Sequence, residues 1–126
     1  MKVIKRSGVK VDFDRDKIYT AIRKSNESVE QEHQMPIEDI ERITSIVENR
    51  LHTFPKEYSV EEIQDAVESE LMQSGYYYVA RSYVRYRYDR EKLRMRNTTD
   101  AEILSLIELQ HEEAKQENSN KNPVIL

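Results

Sequence analysis

The spacing of apolar and polar residues divides the chain into a short hairpin followed by helices. In the stretch VIKRSGVKVDF, apolar and polar residues alternate on both sides of Ser7 and Gly8. A period of two around a Ser-Gly pair predicts a β-hairpin. Asp14 then occupies the position of a helix N-cap, and Ile18 and Ile22 follow it at helical spacing. We therefore expect a first helix that ends near residue 26.

Two further helices are predicted after a polar loop at residues 27–34. Pro36 suits the first position of the second helix. Ser59 and Glu62 form the S-x-x-E pattern of a capping box, which predicts the start of a third helix, and Gly75 suits the position that ends it. Both helices have one face that is expected to be buried, since apolar residues recur every three or four positions: Ile37, Ile40, Ile43, Val47 and Leu51 in the second helix, Val60, Ile63, Val67 and Leu71 in the third.

The sequence YYYVARSYVRYRYDREKLRMR predicts a fourth helix from about Tyr77 to about Arg94. The NTTD stretch at residues 97–100 then predicts a break, after which Thr99 and Glu102 would cap a last helix. The sequence that follows is polar and closes on PVIL. Because such an apolar run is seldom exposed at a natural terminus, we expect a piece of a longer protein.

Composition narrows the fold class and the compartment. The 126 residues include only two glycines, which disfavours a turn-rich β-sandwich. We expect an α+β fold that is mostly α, with a small N-terminal β-hairpin or sheet capping a bundle of about four helices. The net charge of −4 argues against general nucleic-acid binding, and the absence of cysteine excludes disulfides and thiolate metal sites. No run is apolar enough to span a membrane, so a cytoplasmic protein is expected.

The basic residues of the hairpin are the first candidate for a binding site. Lys5, Arg6 and Lys17 would converge if the hairpin folds onto the start of the first helix. Arginine and lysine both suit phosphate, one as a planar fork and the other as a point charge. The alternative is a solvated hairpin, and spacing alone favours that alternative because short basic clusters are common.

Two helices carry further candidates. The Tyr/Arg helix, residues 76–96, could bind single-stranded nucleic acid through stacked rings and arginines, but the negative net charge favours a core helix with a few arginines that face an anion. Gln64, beside Ile63 in the third helix, has an amide that can donate and accept as an adenine edge requires, although such a residue is more often only at the boundary of the core. The three histidines, His33, His52 and His111, lack metal-ligand spacing.

Three segments, VIKRSGVKVDFDRDKIYTAI, SVEEIQDAVESELMQSGY and ARSYVRYRYDR, cover about residues 1–92. Together and in this order they resemble the ATP-cone, the nucleotide-binding regulatory domain of ribonucleotide reductases and of the repressor of their genes. Ser7 stands where the family pattern V-x-K-R-D-G has aspartate. ENSNKN, residues 117–122, resembles the segment that joins the cone to the catalytic barrel of anaerobic, glycyl-radical ribonucleoside-triphosphate reductases. The lack of cysteine argues against the repressor, which carries a cysteine-rich zinc ribbon.

The resemblance implies a set of nucleotide-binding residues and no catalytic or metal-ligating residue. Val11 stands where some relatives carry an acid, so a contact there is not carried over. In the hairpin and first helix, the residues implied to hold the nucleotide and its phosphates are Val3, Lys5, Arg6 and Lys17, and Asp14 would lie near the ribose or base. In the third helix, Val60 and Gln64 would line the adenine pocket. In the fourth helix, Arg87 and Arg90 would face the triphosphate.

The resemblance also implies a function. Residues 1–95 would be an ATP-cone that binds ATP or dATP, with magnesium, as an allosteric ligand, and residues 96–126 would lead to a catalytic domain absent from this chain. The cone would control the overall activity of an anaerobic ribonucleoside-triphosphate reductase, an oxidoreductase that supplies DNA replication, and would itself catalyse nothing. Its expected partners are adenine nucleotides and the catalytic domain of the parent reductase, and a nucleotide-dependent oligomer is possible. Binding to a membrane or to nucleic acid is not expected. The alternative function is a nucleic-acid-binding helical module that uses residues 76–96.

Overall fold

A computed structural model of the protein describes the backbone of residues 1–117 and the side chains of residues 1–97 and 106–107. The chain forms two compact units, Met1–Arg87 and Tyr88–Leu126, and each is described by itself. The fold is α+β and mostly helical, as the sequence predicts. Its elements are β1 (Lys2–Ile4), β2 (Lys10–Asp12), α1 (Arg15–Glu27), a 3₁₀ turn (Gln31–His33), α2 (Ile37–Thr53), β3 (Tyr58–Ser59), α3 (Val60–Gln73) and α4 (Tyr77–Glu117).

The predicted hairpin is present as the antiparallel pair β1 and β2, in which Val3 lies opposite Val11. Its turn is closed by the Lys5 N–H, which donates to the Val9 carbonyl at 2.9 Å. Gly8 has a φ of +87°, a left-handed conformation that other residues adopt with strain. The hairpin prediction is confirmed, and Ser7 lies in the exposed turn.

A third strand, β3, extends the hairpin into a three-stranded sheet of order β2-β1-β3. β3 runs parallel to β1, with Tyr58 opposite Val3 and Ser59 opposite Ile4. Two residues are too few for an alternating pattern, so the sequence did not predict this strand. Its pairing brings the start of α3 to the end of β1.

The core of the first unit is formed by one face of each helix. α2 packs against both α1 and α3, and the predicted apolar stripes are buried except for Ile37 and part of Val60. Ile37 is an exception: it was predicted on the buried face of α2 but is 68% exposed, because it is the first residue of the helix and lies beyond the core. Among the described residues, the largest fully buried apolar side chains are Ile22, Ile40, Ile43, Val47, Val67, Leu71 and Val79.

Helix boundaries agree with the predicted caps, with one adjustment. Gly75 has a φ of +82° and follows α3; its N–H donates to the Met72 carbonyl, and the next N–H, of Tyr76, donates to the Leu71 carbonyl. This is the Schellman arrangement expected of a glycine at the end of a helix. Pro36 is the N-cap of α2 rather than its first helical residue.

The predicted break at residues 97–100 is wrong, because α4 continues through it to Glu117. Asn, Thr and Asp each cost a few tenths of a kcal/mol in a helix interior, whereas ending a helix and nucleating another one is unfavourable. The extra helix expected after the cone is therefore the continuation of α4. The side chains of Thr99 and Glu102, and the polar linker from residue 118 onward, lie outside the described residues. The domain boundary expected at residue 95 stays a prediction.

Candidate nucleotide-binding site

The parallel pairing of β1 with β3 brings the basic turn of the hairpin next to the first turn of α3. Lys5 and Arg6 directly follow β1, and Val60 directly follows β3. The Arg6 Nε lies 2.5 Å from the Glu61 Oε1. A cationic turn and the start of a helix, about 55 positions apart in the sequence, thus form one surface.

The first turn of α3 is held by the predicted capping box. The Glu62 N–H donates to the Ser59 Oγ at 3.1 Å, and the Ser59 N–H donates to the Glu62 carboxylate at 3.2 Å. The Lys56 Nζ lies 2.5 Å from the same carboxylate. The hydrogen bond from Lys56, followed by the one from the Ser59 backbone, holds the pKa of Glu62 below its ordinary value. These contacts give the helix start a defined geometry and supply acceptors for its end groups.

Val60 and Gln64 are four residues apart, so they lie on the same face of α3. Val60 packs against the core with part of its side chain exposed, and Gln64 is half-buried. Ile63, between them, is buried. The exposed part of this face therefore combines an apolar surface with an amide that donates and accepts hydrogen bonds.

The remaining hairpin and α1 candidates have different environments. Val3 is buried in the sheet, so its side chain belongs to the core. Asp14 is the N-cap of α1, as predicted: its Oδ1 accepts from the Asp16 N–H at 3.0 Å. The side chains of Lys5 and Lys17 are exposed. Among the described residues, neither lysine takes part in an ion pair.

Arg87 is occupied by acidic residues of α3. Its Nη1 lies 2.9 Å from the Asp65 Oδ1 and 3.2 Å from the Glu68 Oε1, and its side chain is 20% exposed. Arg87, which the resemblance assigns to the triphosphate, is thus paired with two acids of α3 in this structure. Arg90 is exposed and belongs to the second unit.

The acids around the hairpin are functional candidates that the sequence reasoning did not single out. The Glu57 Oε1 lies 2.9 Å from the Lys10 Nζ, and Glu61 pairs with Arg6. Each of these acids is more than 45 positions from its partner in the sequence, so local spacing does not predict the ion pair. The only signal in the sequence is the cluster of acids around the capping box.

Comparison with known proteins gives the family. The sequence of residues 1–92 matches the family model of the ATP cone domain, which covers most of the chain. The chain belongs to the ATP-cone family. The ATP-cone is the allosteric regulatory module of ribonucleotide reductases. Domains of this family bind nucleotide effectors such as ATP and dATP.

The chain is also similar to the corresponding part of several reductases. It is 35% identical to the anaerobic ribonucleoside-triphosphate reductase of Haemophilus influenzae over 126 residues, covering 98% of this chain and 17% of that protein. It is 30% identical to the Escherichia coli protein of the same name, with the same coverage, and 39% identical over 98 residues to the vitamin B12-dependent ribonucleoside-diphosphate reductase of Thermoplasma acidophilum, covering 74% of this chain and 12% of that protein. The chain thus spans about a sixth of the length of its anaerobic relatives.

The β1–β3 pairing brings the segment that carries Lys5 and Arg6 next to the start of α3, where Val60 lies, and the Arg6–Glu61 contact joins the two segments. Together with Gln64, these segments contain what a nucleotide site needs: cations for phosphate and an apolar surface with one amide for a base. These residue types suit the two ends of an adenine nucleotide, and their common role as its site stays a prediction. Among the described residues, no helix is long and apolar enough to cross a membrane.

One cluster of the cone has the side chains of a metal site. Glu30, Glu32 and His33 each offer a ligand atom, and these atoms lie within 4.8 Å of one another. The His33 ring stacks on Tyr78, with 3.8 Å between ring centroids. Spacing in the sequence did not indicate this cluster. Both glutamates are exposed, and exposed acidic groups of this kind are common without an ion, so no metal is assigned here.

Proposed function

We propose that the cone senses ATP and dATP and thereby controls the overall activity of an anaerobic ribonucleoside-triphosphate reductase. Family membership supports nucleotide binding, and the similarity to anaerobic reductases along 98% of the chain supports the parent enzyme. In this proposal ATP leaves the enzyme active and dATP switches it off. The cone itself is regulatory, and the reaction takes place in a catalytic domain outside this chain.

The pairing of β1 with β3 is the observation that carries the proposal. It supports a single ligand that spans the hairpin turn and α3, because a nucleotide has an anionic end and an aromatic end. Lys5 and Arg6 would bind the phosphates. Val60 would contact the adenine ring, and the Gln64 amide would hydrogen-bond its edge.

The other residues of the proposed site have supporting roles. Lys17, exposed in the first turn of α1, would add a further cation for the phosphates, and Asp14 would lie near the ribose or base while capping α1. Val3, which is buried, would hold β1 in place by packing its side chain into the core. Arg87 would have to exchange an acidic partner to face the triphosphate, and the role of Arg90 as a phosphate ligand stays a prediction of the family resemblance. Magnesium would accompany the triphosphate, held mainly by the phosphates themselves.

Control of activity requires that the two nucleotides stabilise different states of the parent enzyme. ATP and dATP differ by one 2′-hydroxyl, and a tenfold preference corresponds to about 1.4 kcal/mol, which is within the range of a single changed hydrogen bond. Each nucleotide would favour a different arrangement of the cone and the catalytic domain, or of subunits in a nucleotide-dependent oligomer.

Calorimetric titration of the 126-residue chain with ATP, dATP and a short single-stranded oligonucleotide tests the proposal. We expect both mononucleotides to bind and the oligonucleotide not to compete. Binding of the oligonucleotide without either mononucleotide would instead favour a nucleic-acid-binding module at residues 76–96.

A pair of matched double variants tests the hairpin assignment. Lys5→Ala with Arg6→Ala is expected to weaken ATP binding by tenfold or more, about 1.4 kcal/mol. The control, Arg23→Ala with Lys24→Ala, removes the same adjacent residue types from the last turns of α1 and should change the affinity less than about twofold. Equal ATP affinity of the hairpin variant and the parent would show that the hairpin assignment is wrong.

A further inference from the structure

Arg6, proposed above as a phosphate ligand, is in contact with a carboxylate of the protein itself. Its Nε lies 2.5 Å from the Glu61 Oε1, and the two side chains are 34% and 43% exposed. The contact joins the hairpin turn to the first turn of α3, the two elements that the proposed ligand would span. A phosphate oxygen and a carboxylate oxygen are equivalent acceptors for a guanidinium.

We propose that Glu61 is an internal competitor for the nucleotide phosphates. In this inference, which rests on the proposed function, the Glu61 carboxylate and a phosphate oxygen compete for Arg6, and Glu61 must give way when the nucleotide binds. Glu61 thereby lowers the affinity of the cone for its effector and keeps it sensitive to changes in nucleotide concentration.

The fold makes this competition effective for two reasons. The hairpin turn holds Arg6 and the capping box holds the start of α3, so the carboxylate acts as a tethered ligand at a high effective concentration. Once displaced, the same carboxylate stays within a few ångströms of the phosphates and repels them, since it cannot leave the site. Both effects oppose binding and weaken with added salt.

The neighbouring acids do not have this relation to a proposed phosphate ligand. Glu62 accepts from the Ser59 N–H in the capping box and pairs with Lys56. Glu57 pairs with Lys10 of β2, which is not among the proposed ligands. Glu57 is therefore a matched control, because it carries the same charge on the same segment and also pairs with a cation of the hairpin.

The test compares Glu61→Gln and Glu57→Gln with the parent chain by calorimetric titration with ATP. We expect Glu61→Gln to bind ATP about three- to tenfold more tightly, from the range measured for partly exposed ion pairs plus the lost repulsion. Glu57→Gln should stay within about twofold of the parent. The gain in Glu61→Gln should shrink between about 0.05 and 0.5 M salt, because added salt shortens the screening length. Thermal unfolding by circular dichroism checks that each variant is folded.

A double-mutant cycle decides whether Glu61 acts through Arg6. In an Arg6→Gln background, Glu61→Gln should give a clearly smaller gain in ATP affinity than in the parent chain, because the competition for Arg6 is gone and only the repulsion between the carboxylate and the phosphates remains. An equal gain in ATP affinity with and without Arg6, or an equal gain in Glu57→Gln, would mean that only the net charge of the chain matters. Either result would overturn the inference. Unchanged affinity in Glu61→Gln would overturn it while leaving the proposed function intact. A parent chain that binds neither ATP nor dATP would overturn both.

Discussion

Replacing Asn26 by alanine is expected to destabilise the first unit by about 3 kcal/mol. The Asn26 amide is a clamp on the loop between α1 and α2: its Nδ2 donates to the Met35 carbonyl at 2.9 Å, and its Oδ1 accepts from the Met35 N–H at 2.8 Å. Asn26 is 7% exposed and Met35 is 3% exposed. The substitution leaves two buried backbone groups without partners, and each such group costs about 1–3 kcal/mol.

Urea unfolding of Asn26→Ala, followed by circular dichroism and tyrosine fluorescence, measures this loss. For a domain of this size, we also expect the thermal midpoint to fall by about 10–20 °C. The control is Asn49→Ala on the exposed face of α2, which should change the free energy of unfolding by less than about 0.5 kcal/mol. A loss below about 1 kcal/mol in Asn26→Ala, with an unchanged denaturant slope, would mean that water replaces the amide and would refute the reasoning.

Substitutions at three further positions test the helix boundaries and one half-buried contact. Gly75→Ala should cost about 1–2 kcal/mol in urea unfolding, since a Cβ there meets no atom within 4 Å and only the left-handed backbone opposes it; Gly75→Asn should cost less, and equal losses would contradict this reasoning. Ser59→Ala should cost about 1 kcal/mol through the lost cap, and a loss of helix signal without a change in stability would contradict it. The Tyr76 hydroxyl donates to Asp39, which raises the pKa of Tyr76, so this contribution to stability is complete below the ordinary tyrosine pKa of about 10 and is lost as the pH rises through the raised value. Tyr76→Phe should therefore show a shallower loss of stability between pH 8 and about 11 than the parent, and parallel profiles would contradict it.

The helices and their caps could be predicted because the signals for them are local. The capping box at Ser59, the glycine at position 75 and the N-cap at Asp14 each depend on residues a few positions apart. The exceptions have local causes too. Ile37 fits the apolar spacing of α2 but lies in its first turn, beyond the core, and the polar stretch at residues 97–100 has too small a propensity penalty to end α4.

The candidate site could be predicted only in part, because half of it depends on contacts between distant segments. The ordered motifs indicated the residues Lys5, Arg6 and Gln64, but not the strand that joins their elements. β3 has two residues and no pattern of its own, and it forms because β1 offers an edge for pairing. The partner of Arg6 was likewise hidden, since an ion pair between positions 6 and 61 leaves no periodic signal.

The sequence by itself determined the hairpin, the apolar faces of the helices and the family, since backbone preferences, amphipathic spacing and ordered motifs act along the chain. Only the tertiary structure decided what surrounds each charge. In the folded chain Arg87 forms ion pairs with Asp65 and Glu68, and Arg6 forms one with Glu61. The physical reason is that the strength of a charge as a ligand depends on its neighbours within a few ångströms, and those neighbours come from parts of the chain that only folding brings together.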